Sequence, residues 1–572
     1  LSGEHGDGQS RGELLDRMFG PDLVRAFGEL KDIFDPGNMM NPGKVVRPAR
    51  LDEHLRLGGD WAPAAPQDLF FRYPHDGGSF AQAANRCVGI GKCRRPDNKS
   101  GSVMCPSYQV TREEEHSTRG RARLLFEMLH GHQDSPIADG WRSTAVRAAL
   151  DLCLACKGCK TDCPANVDMA TYKAEFLAHH WAGRPWRRPR SDLSLGWLPV
   201  LARAVHRLRL AGPVNALSHT PGLHRAGALA AGVEPREVPL FATESLQRWY
   251  ARRGPRGTGE RGSVLLWPDT FTNYFQPHVG QAAIEVLEGA GWQVRLPAEP
   301  VCCGLTWIST GQLSTAKRML QRTVTTLAGH VRDGGYVVGL EPSCTAVFRS
   351  DAPELFPDDQ DVLRLRDHTL TLAELLDGHT PGWQPASLAG REVLTQVHCH
   401  QHAVLGSAAE SRLLDAAGAR AEQLPSGCCG LAGNFGFQPG HAGVSRALAE
   451  QVLLPRLRDA DPAAVVLAEG FSCRTQIHEL DSGGREAMHL AELLAAVGRG
   501  SLPPAYPERH AAPRPGASRQ RDLAGLNAVA MGRAGLAYQA GPPRKDRWWR
   551  RLFSSGCMSF WPGRDTRLPG AS

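Results

Sequence analysis

The chain has 572 residues, 42% of them hydrophobic, which leaves room for roughly three or four domains with cores of their own. Its formal net charge is +7, but residues 501–572 alone carry 12 Lys+Arg and 4 Asp+Glu, so the remainder is close to neutral. A basic excess confined to a Pro/Gly/Arg-rich tail does not indicate a nucleic-acid partner, and no apolar run reaches the roughly 18 residues of a transmembrane helix.

The opening block, residues 1–48, starts with "SGEHGDG" and closes with "FDPGNMMNPGK". Because Leu1 already stands beside this motif, we expect the chain to be a piece of a longer protein, with no signal peptide at its start. Glu4 and His5 lie in a glycine-rich turn that would let a substrate approach the imidazole, so His5 is a candidate general base. A plain loop explains the same residues equally well. Residues 49–80 are typical of a linker.

The first cysteine block, residues 81–180, contains "CLACKGCKTDCP". Its spacing, C-x2-C-x2-C-x3-C-P, is that of bacterial ferredoxins, in which three thiolates hold one cluster and the fourth serves another. We therefore predict a mostly α-helical, two-cluster ferredoxin-like domain, with a structural zinc site as the alternative. The cysteines of the run are Cys153, Cys156, Cys159 and Cys163.

In two-cluster ferredoxins the fourth cysteine of the run binds the other cluster, and this rule assigns the remaining cysteines of the block to two sets. Cys105, which precedes a proline in "MCPSY", would complete a 4Fe-4S set, and the members of that set are Cys105, Cys153, Cys156 and Cys159. The second set is Cys87, Cys93 and Cys163, with Ile90 where a fourth thiolate would stand in "CVGIGKC". Three thiolates would hold a 3Fe-4S cluster or a 4Fe-4S cluster with a non-cysteine ligand; an empty site is the alternative.

Helical patterns surround and follow these cysteines. Ser117 is the predicted N-cap of a helix over "STRGRARLLFEMLHG". The connector, residues 181–260, contains "LSLGWLPVLARAVHRLRLAG", an apolar stretch with interspersed arginines. It is typical of surface helices that pack on their neighbours, and contact with a membrane face or a partner is the alternative.

An internal repeat occupies residues 261–380 and 381–498. The adjacent cysteines of the two copies are 126 residues apart (Cys303 to Cys429) and the later ones 129 apart (Cys344 to Cys473). Each copy has a β-α-β-α-β pattern, which predicts an α/β fold with a parallel sheet. Sites in such sheets lie beyond the carboxyl ends of the strands, where these cysteines fall.

The two copies differ in their candidate ligands. Copy two has four, Cys399, Cys428, Cys429 and Cys473. Copy one has three, Cys302, Cys303 and Cys344, with Asp269 or Thr270 where Cys399 would align. Such thiols suit an irregular cluster, a redox thiol pair or a persulfide-like site, whereas buried small hydrophobes are the plain interpretation.

Three histidines and the tail complete the pattern. "HCHQH" puts His398, His400 and His402 on alternate positions, which would share one side at a strand end. They are candidate supporting donors or members of a polar loop. Residues 499–572 are predicted to be a disordered basic tail in which Cys557 is free.

Taken together, these motifs resemble a known family. "SGEHGDG…FDP…NPGK" is similar to the C-terminal end of the FAD-linked oxidase fold of D-lactate, glycolate and D-2-hydroxyglutarate dehydrogenases. The ferredoxin run and the paired "CCG" segments, in this order, resemble large bacterial fusion members that join the flavin oxidase to an iron–sulfur module and two cysteine-rich domains. The resemblance covers roughly residues 1–498.

The resemblance implies a function for the whole protein. A D-2-hydroxy acid would give a hydride to FAD, His5 would take the hydroxyl proton, and Glu4 would help to hold a divalent ion. Electrons would leave through the clusters to a quinone or another carrier. The FAD-binding domain would lie upstream, so this piece alone is expected to transfer electrons without dehydrogenase activity. A heterodisulfide reductase-like or glycolate dehydrogenase-like subunit and a zinc or thiol scaffold are the alternatives. A cytoplasmic location is expected, and peripheral contact with the inner face of the membrane is the alternative.

Overall fold

The computed structural model describes residues 6–53, 57, 63, 68–96, 101–130, 137–220 and 222–510. They divide into two compact units, with the boundary between Ala64 and Ala65. The first unit contains the helices Gly8–Arg11, Leu15–Phe19 and Pro21–Phe34. Its "FDPGNMM" turn is held by the Asp35 carboxylate, which accepts the Met39 and Met40 N–H groups at 2.8 Å each. Glu4 and His5 lie outside the described residues.

The second unit opens with the cysteine-bearing helical domain. Its helices are Phe80–Asn85, Pro106–Thr111, Thr118–His130, Thr144–Asp151, Gly158–Asp162 and Met169–His180. The predicted N-cap is confirmed, because Ser117 Oγ accepts the Gly120 N–H at 2.9 Å. The expected linker is shorter than 49–80: the N–H groups of Phe70 and Phe71 donate to the buried Glu175 carboxylate at 2.9 and 3.0 Å.

The connector is helical and largely exposed, as expected for surface helices that pack on their neighbours. Its helices are Arg190–Gly196, Leu198–Arg207, Ala211–His219, Leu223–Ala231 and Leu246–Arg253. One arginine fixes the end of this segment: Arg236, 2% exposed, donates to Glu479 Oε2 at 2.7 Å and to Gln476 Oε1 at 2.7 Å. No helix in the described ranges combines the length and apolar character needed to cross a bilayer.

The first copy of the repeat is a four-stranded parallel sheet with helices around it. Its strands are β1 Ser263–Trp267, β2 Gln293–Arg295, β3 Tyr336–Gly339 and β4 Thr369–Thr371, in the order β2-β1-β3-β4. Its helices are Thr270–Tyr274, Pro277–Gly289, Leu305–Ser309, Leu313–Arg332, Pro342–Ala346, Ala352–Leu355, Gln360–His368 and Leu372–Gly378.

The second copy repeats this topology. Its strands are β5 Glu392–Thr395, β6 Arg420–Gln423 and β7 Val465–Leu467, in the parallel order β6-β5-β7. A parallel bridge from Leu467 to Met488 stands where β4 lies in copy one. Its helices are Ala408–Ala416, Ala442–Gln451, Leu453–Arg458, Phe471–Leu480 and Leu490–Gly498. The predicted duplication of a parallel α/β fold is confirmed.

One apolar core joins the two copies, since buried residues of β1 and β5, such as Val264 and Val393, belong to the same cluster. The chain continues in an ordered form to His510, which differs from the disorder expected from residue 499. The Tyr506 N–H donates to the Pro462 carbonyl at 2.7 Å, and Arg485 and Glu508 form an ion pair at 3.2 Å. Cys557 lies outside the described residues.

Candidate metal centres

The ferredoxin run forms a tight buried loop. All four of its cysteines are at most 9% exposed. Two intervening residues, Ala155 and Lys157, have φ of 51° and 57°, left-handed values that let a short loop turn its side chains inward. Gly158 allows close approach, because a Cβ there would lie 2.9 Å from the Val103 carbonyl carbon. Convergent, buried thiols fit an iron–sulfur cluster, as the spacing predicts.

A buried cation supports this loop. Lys157 is 3% exposed and pairs with Asp168 at 3.0 Å and with Asp351, from copy one of the repeat, at 3.1 Å. Burial alone would lower the pKa of Lys157, but the two carboxylates outweigh it and raise the pKa. The ammonium therefore stays charged beside the thiols. The Met169 N–H adds a hydrogen bond to Cys159 Sγ at 3.3 Å.

The second predicted set also comes together. Cys87, Cys93 and Cys163 line one small cavity of about 20 Å³. Ile90 lines the same cavity but is 62% exposed, so its side chain is not a buried substitute for the missing thiolate. The three thiols fit a cluster with one corner not held by cysteine; which cluster they hold stays a prediction.

Cys105 lies between the two sets. Its thiol accepts the Thr118 N–H at 3.0 Å and shares a hydrogen bond with Cys93. That bond lowers the pKa of the Cys93 thiol to about 6, whereas burial raises the pKa of Cys105. Cys105 also feels the charge of Cys159. Its assignment to the set with Cys153, Cys156 and Cys159 therefore remains a prediction.

Copy two of the repeat gathers its four predicted thiols into one buried row. Cys428 is hydrogen bonded to both Cys399 and Cys429, and Cys429 is hydrogen bonded to Cys473. The hydrogen bond from Cys428 lowers the pKa of Cys399 to about 7, and bonds from Cys428 and Cys473 lower the pKa of Cys429. Cys399 and Cys429 are therefore poised to ionise, which metal binding requires, whereas hydrogen bonds with neighbouring thiols and burial raise the pKa of Cys428 and Cys473.

The glycine of each "CCG" segment has a structural reason. Gly304 and Gly430 have φ of 84° and 93°, and their N–H groups donate to Cys302 Sγ at 3.5 Å and Cys428 Sγ at 3.4 Å. A Cβ on Gly430 would lie 2.2 Å from the Ser445 carbonyl oxygen. The segment thus bends back so that a backbone amide points at the first sulfur of the pair, an arrangement that tunes cluster potentials.

The histidines of "HCHQH" do not lie on a strand end. β5 stops at Thr395, and residues 399–405 are helical. The ring atoms of His398 and His400 and the Cys399 sulfur lie within 4.8 Å of one another, close enough to share a metal ion. His402 turns away and pairs with Asp162 at 3.0 Å. The alternation expected for a strand is therefore wrong, because the chain turns into a helix one residue after His398.

Copy one presents a different donor set. Cys303 is hydrogen bonded to Cys302 and Cys344, and the Thr270 hydroxyl is hydrogen bonded to Cys302. Asp269 Oδ1 accepts the N–H groups of Phe271 and Thr272, while the buried Oδ2 has no partner within the described part of the chain. Burial, with the charge of Glu341, raises the pKa of Asp269 to about 6. Three thiols and a hydroxyl occupy the place of four thiols.

The separate sites meet around one centre. Cys156 of the ferredoxin run packs in the same hydrophobic cluster as Cys399 and Cys428 of copy two. A cavity of about 590 Å³ is lined by Cys156, by Cys399 and by the three thiols of copy one. Sequence reasoning missed this cavity. One sequence signal could have indicated it. Phe271 and Phe471 each follow the carboxyl end of a strand by four residues, which places an aromatic side chain at the same edge of each sheet as the cysteines.

Three family models match the chain. They are the C-terminal domain of FAD linked oxidases at residues 1–45, the 4Fe-4S dicluster domain at 79–167 and the cysteine-rich domain at 269–349. D-2-hydroxyglutarate dehydrogenase of Pseudomonas putida is 27% identical over 550 residues, covering 86% of this chain and 51% of that protein. The Escherichia coli K12 enzyme of the same name is 27% identical over 85% of this chain and 50% of its own length.

The chain is similar to proteins named D-2-hydroxyglutarate dehydrogenase, as the motifs predict. It spans about half the length of these curated relatives. Lactate utilization protein A of Bacillus subtilis is also similar, 26% identical over 40% of this chain and 98% of that protein. The domain matches support iron–sulfur and flavin chemistry, whereas a three-iron cluster and a divalent ion beside Glu4 remain predictions.

Proposed function

We propose that the chain is the electron-transfer part of a flavoprotein dehydrogenase that oxidises a D-2-hydroxy acid, either D-2-hydroxyglutarate or D-lactate. One observation carries the proposal: Cys156 packs in one buried core with Cys399 and Cys428, so thiols of the ferredoxin-like domain and of copy two of the repeat lie close to each other. The relatives named D-2-hydroxyglutarate dehydrogenase support the substrate class.

Oxidation of a 2-hydroxy acid to a 2-oxo acid releases two electrons and two protons. FAD, bound by an upstream domain of the whole protein, would supply hydride acceptance, and clusters on the thiolates would supply one-electron steps. His5 would take the hydroxyl proton, and the second proton would go to solvent. Within this chain, buried thiols exclude water, and the Met169, Gly304 and Gly430 N–H groups hold the charge on sulfur.

The test uses the full natural protein with its flavin and clusters. We expect D-2-hydroxyglutarate or D-lactate, more than glycolate, to reduce a dye and to reduce the clusters, followed by EPR. His5→Ala should lower turnover by about 100-fold or more. The matched control is His75→Ala, which changes an exposed histidine of the same chain. Full activity in His5→Ala would contradict the role of His5, and clusters that stay oxidised with every hydroxy acid would contradict the function.

We also propose that the acceptor lies at a membrane and that the connector touches an anionic lipid surface. Residues 181–233 contain eight arginines and a single acidic residue, the buried Asp192. Large apolar side chains stand among them: Trp186 is 75% exposed and Leu229 is 78% exposed. Basic and apolar side chains on exposed short helices suit the interface of an anionic bilayer.

Vesicle co-sedimentation tests the membrane proposal. We expect the protein to bind phosphatidylglycerol vesicles in low salt and to bind phosphatidylcholine vesicles much less. Arg207→Glu combined with Arg209→Glu should weaken binding at least about ten-fold, whereas Arg318→Glu, an exposed site outside the connector, should have little effect. Equal binding by all three proteins would contradict the proposal.

A further inference from the structure

The cavity of about 590 Å³ lies between the connector, both copies of the repeat and the ferredoxin run. Its volume falls in the range of small-molecule sites, about 300–1,000 Å³. The connector contributes aliphatic side chains, including Leu198, Val214 and Leu217. Four phenylalanines from the repeat line it as well, and two of them, Phe271 and Phe471, stack with ring centroids 4.6 Å apart at 22°. A flat apolar ring fits such walls.

The thiol sites and a few polar atoms line the same cavity. His398 Nδ1 accepts the His400 N–H at 3.2 Å, so its Nε2 carries the proton. His400 Nε2 donates to the Ala155 carbonyl at 3.2 Å, which leaves its buried Nδ1 as an acceptor without a partner among the described residues. The Ser472 hydroxyl lines the cavity beside His398. His398 Nε2 donates to the Ser472 hydroxyl oxygen at 3.4 Å, so the Ser472 O–H is the donor and His400 Nδ1 the acceptor on this wall of the cavity.

The charges of the lining select against anions. The one ammonium or guanidinium among the described lining residues is Lys157, and it is already paired with Asp168 and Asp351. Glu341 adds a carboxylate to the lining. A dicarboxylate, a 2-hydroxy acid or an anionic disulfide would bury its charge here without a partner, which costs several kcal/mol. A neutral ligand meets no such penalty.

We infer that this cavity binds a lipid-soluble quinone, with its ring against Phe271 and the thiol sites and its tail along the connector helices. The inference rests on the proposed function for its electrons: oxidation of the hydroxy acid would supply two electrons by way of clusters held by the thiols, water would supply two protons, and the quinone would become a quinol. The quinone carbonyl would accept from the Ser472 hydroxyl, which itself accepts from His398 Nε2, and the quinol hydroxyl would donate to His400 Nδ1.

A pair of matched glycine variants tests the site. Gly227 lines the cavity, and a Cβ there would meet nothing within 4 Å, so the ring of Gly227→Phe enters open space. Gly212, on the preceding connector helix, also has open space around its Cβ but does not line the cavity. Both substitutions place one phenylalanine on a connector helix, and only the first fills the site.

The cluster-loaded protein is titrated with decylubiquinone, and binding is followed by quenching of tryptophan fluorescence. Gly227→Phe should weaken binding at least ten-fold, and Gly212→Phe should stay within two-fold of the unchanged protein. Loss of the same size in both variants, or undiminished binding in Gly227→Phe, would overturn the inference. Phe271→Leu provides a second test. We expect this variant to bind decylubiquinone more weakly while its iron content stays unchanged.

Binding is measured without a hydroxy acid, so the two proposals fail separately. If hydroxy acids leave the clusters oxidised while decylubiquinone binds as described, the substrate assignment is wrong and the cavity assignment stands. If hydroxy acids reduce the clusters but decylubiquinone does not bind, the cavity assignment is wrong. Reduction of decylubiquinone by protein pre-reduced with dithionite, slowed by Gly227→Phe and not by Gly212→Phe, links the site to electron transfer.

Discussion

The two copies of the repeat share a scaffold and differ in what it holds. Both have parallel sheets in which the first three strands of the copy follow the same order, both place adjacent cysteines after the second strand, and both use a glycine with positive φ to aim an amide at sulfur. Copy two adds Cys399 after its first strand, whereas copy one has Asp269 and Thr270 there. The sheet edge fixes where the donors stand, and one loop decides their chemistry.

The two copies also differ in the pKa values of their thiols. Copy two has four thiols, two of which have lowered pKa values because neighbouring thiols donate to them. Copy one has three thiols, each with a raised pKa. The hydrogen bond with Cys303 and burial raise the pKa of Cys302. In Cys303 a lowering bond from Cys302 is outweighed by the bond with Cys344 and by burial, and in Cys344 burial outweighs a lowering bond from Cys303. Metal binding needs thiolates; we therefore predict that copy two is the better metal site and that copy one serves mainly as a wall of the cavity.

The largest expected effect comes from removing the central thiol of each copy. Cys429→Ser should lose about four irons per chain, because Cys429 links Cys428 to Cys473. Cys303→Ser, the equivalent change in copy one, should lose at most one. Iron and sulfide are counted on the purified proteins, with EPR on the dithionite-reduced samples. Equal losses in the two variants would mean that copy one holds a cluster as well and would erase the distinction.

A second test compares the two glycines. Gly430→Ala must adopt a φ of 93° and places its Cβ 2.2 Å from the Ser445 carbonyl oxygen, so backbone has to move. Gly304→Ala has a φ of 84° but its nearest atom is at 3.3 Å. We expect losses of about 4 kcal/mol and about 1–2 kcal/mol in the free energy of unfolding. Thermal unfolding of both variants measures the difference, and a larger loss for Gly304→Ala would contradict the packing described here.

Much of this arrangement could be predicted because it depends on short-range spacing. The ferredoxin run requires only that Cys153, Cys156 and Cys159 share one loop, and the equal offsets between the copies require only that a duplicated unit folds twice in the same way. The N-cap at Ser117 is likewise local. Each of these features involves residues that are close in sequence, so local preferences and packing agree.

The features that escaped prediction depend on contacts between distant segments. The chain enters a helix at Cys399, and His400 in that helix donates to the carbonyl of Ala155, 245 residues away. Residues 499–510 read as disordered from composition but are held by Arg485 and Pro462 of copy two. Cys105 sits beside Cys93 as well as near Cys159, which a crossing rule for ligands does not foresee. The cavity exists only because four segments meet around it.

The smallest expected effect separates the copies by pH. Copy two is held to the connector by the Arg236 contacts and by His478, whose Nε2 lies 3.5 Å from Glu237 and whose Nδ1 lies 2.7 Å from Glu486. Copy one is held by Arg188, which donates to the carbonyls of Thr310 and Gly311 and keeps its charge at all ordinary pH values. Only the His478 contact should depend on pH.

Burial would lower the pKa of His478, but hydrogen bonds to Glu237 and Glu486 outweigh it and raise the pKa to about 9. The unfolded value is about 6.5, so the stabilisation is complete below about pH 6.5 and is lost as the pH rises through 9, with a size of at most about 3 kcal/mol. His478→Gln should therefore destabilise the protein at pH 6 and hardly at all at pH 10, measured by urea unfolding. His330→Gln, in copy one, is the control. A penalty for His478→Gln that stays constant from pH 6 to pH 10 would show that the imidazole acts by shape alone, and the two copies would then be anchored by contacts of the same kind.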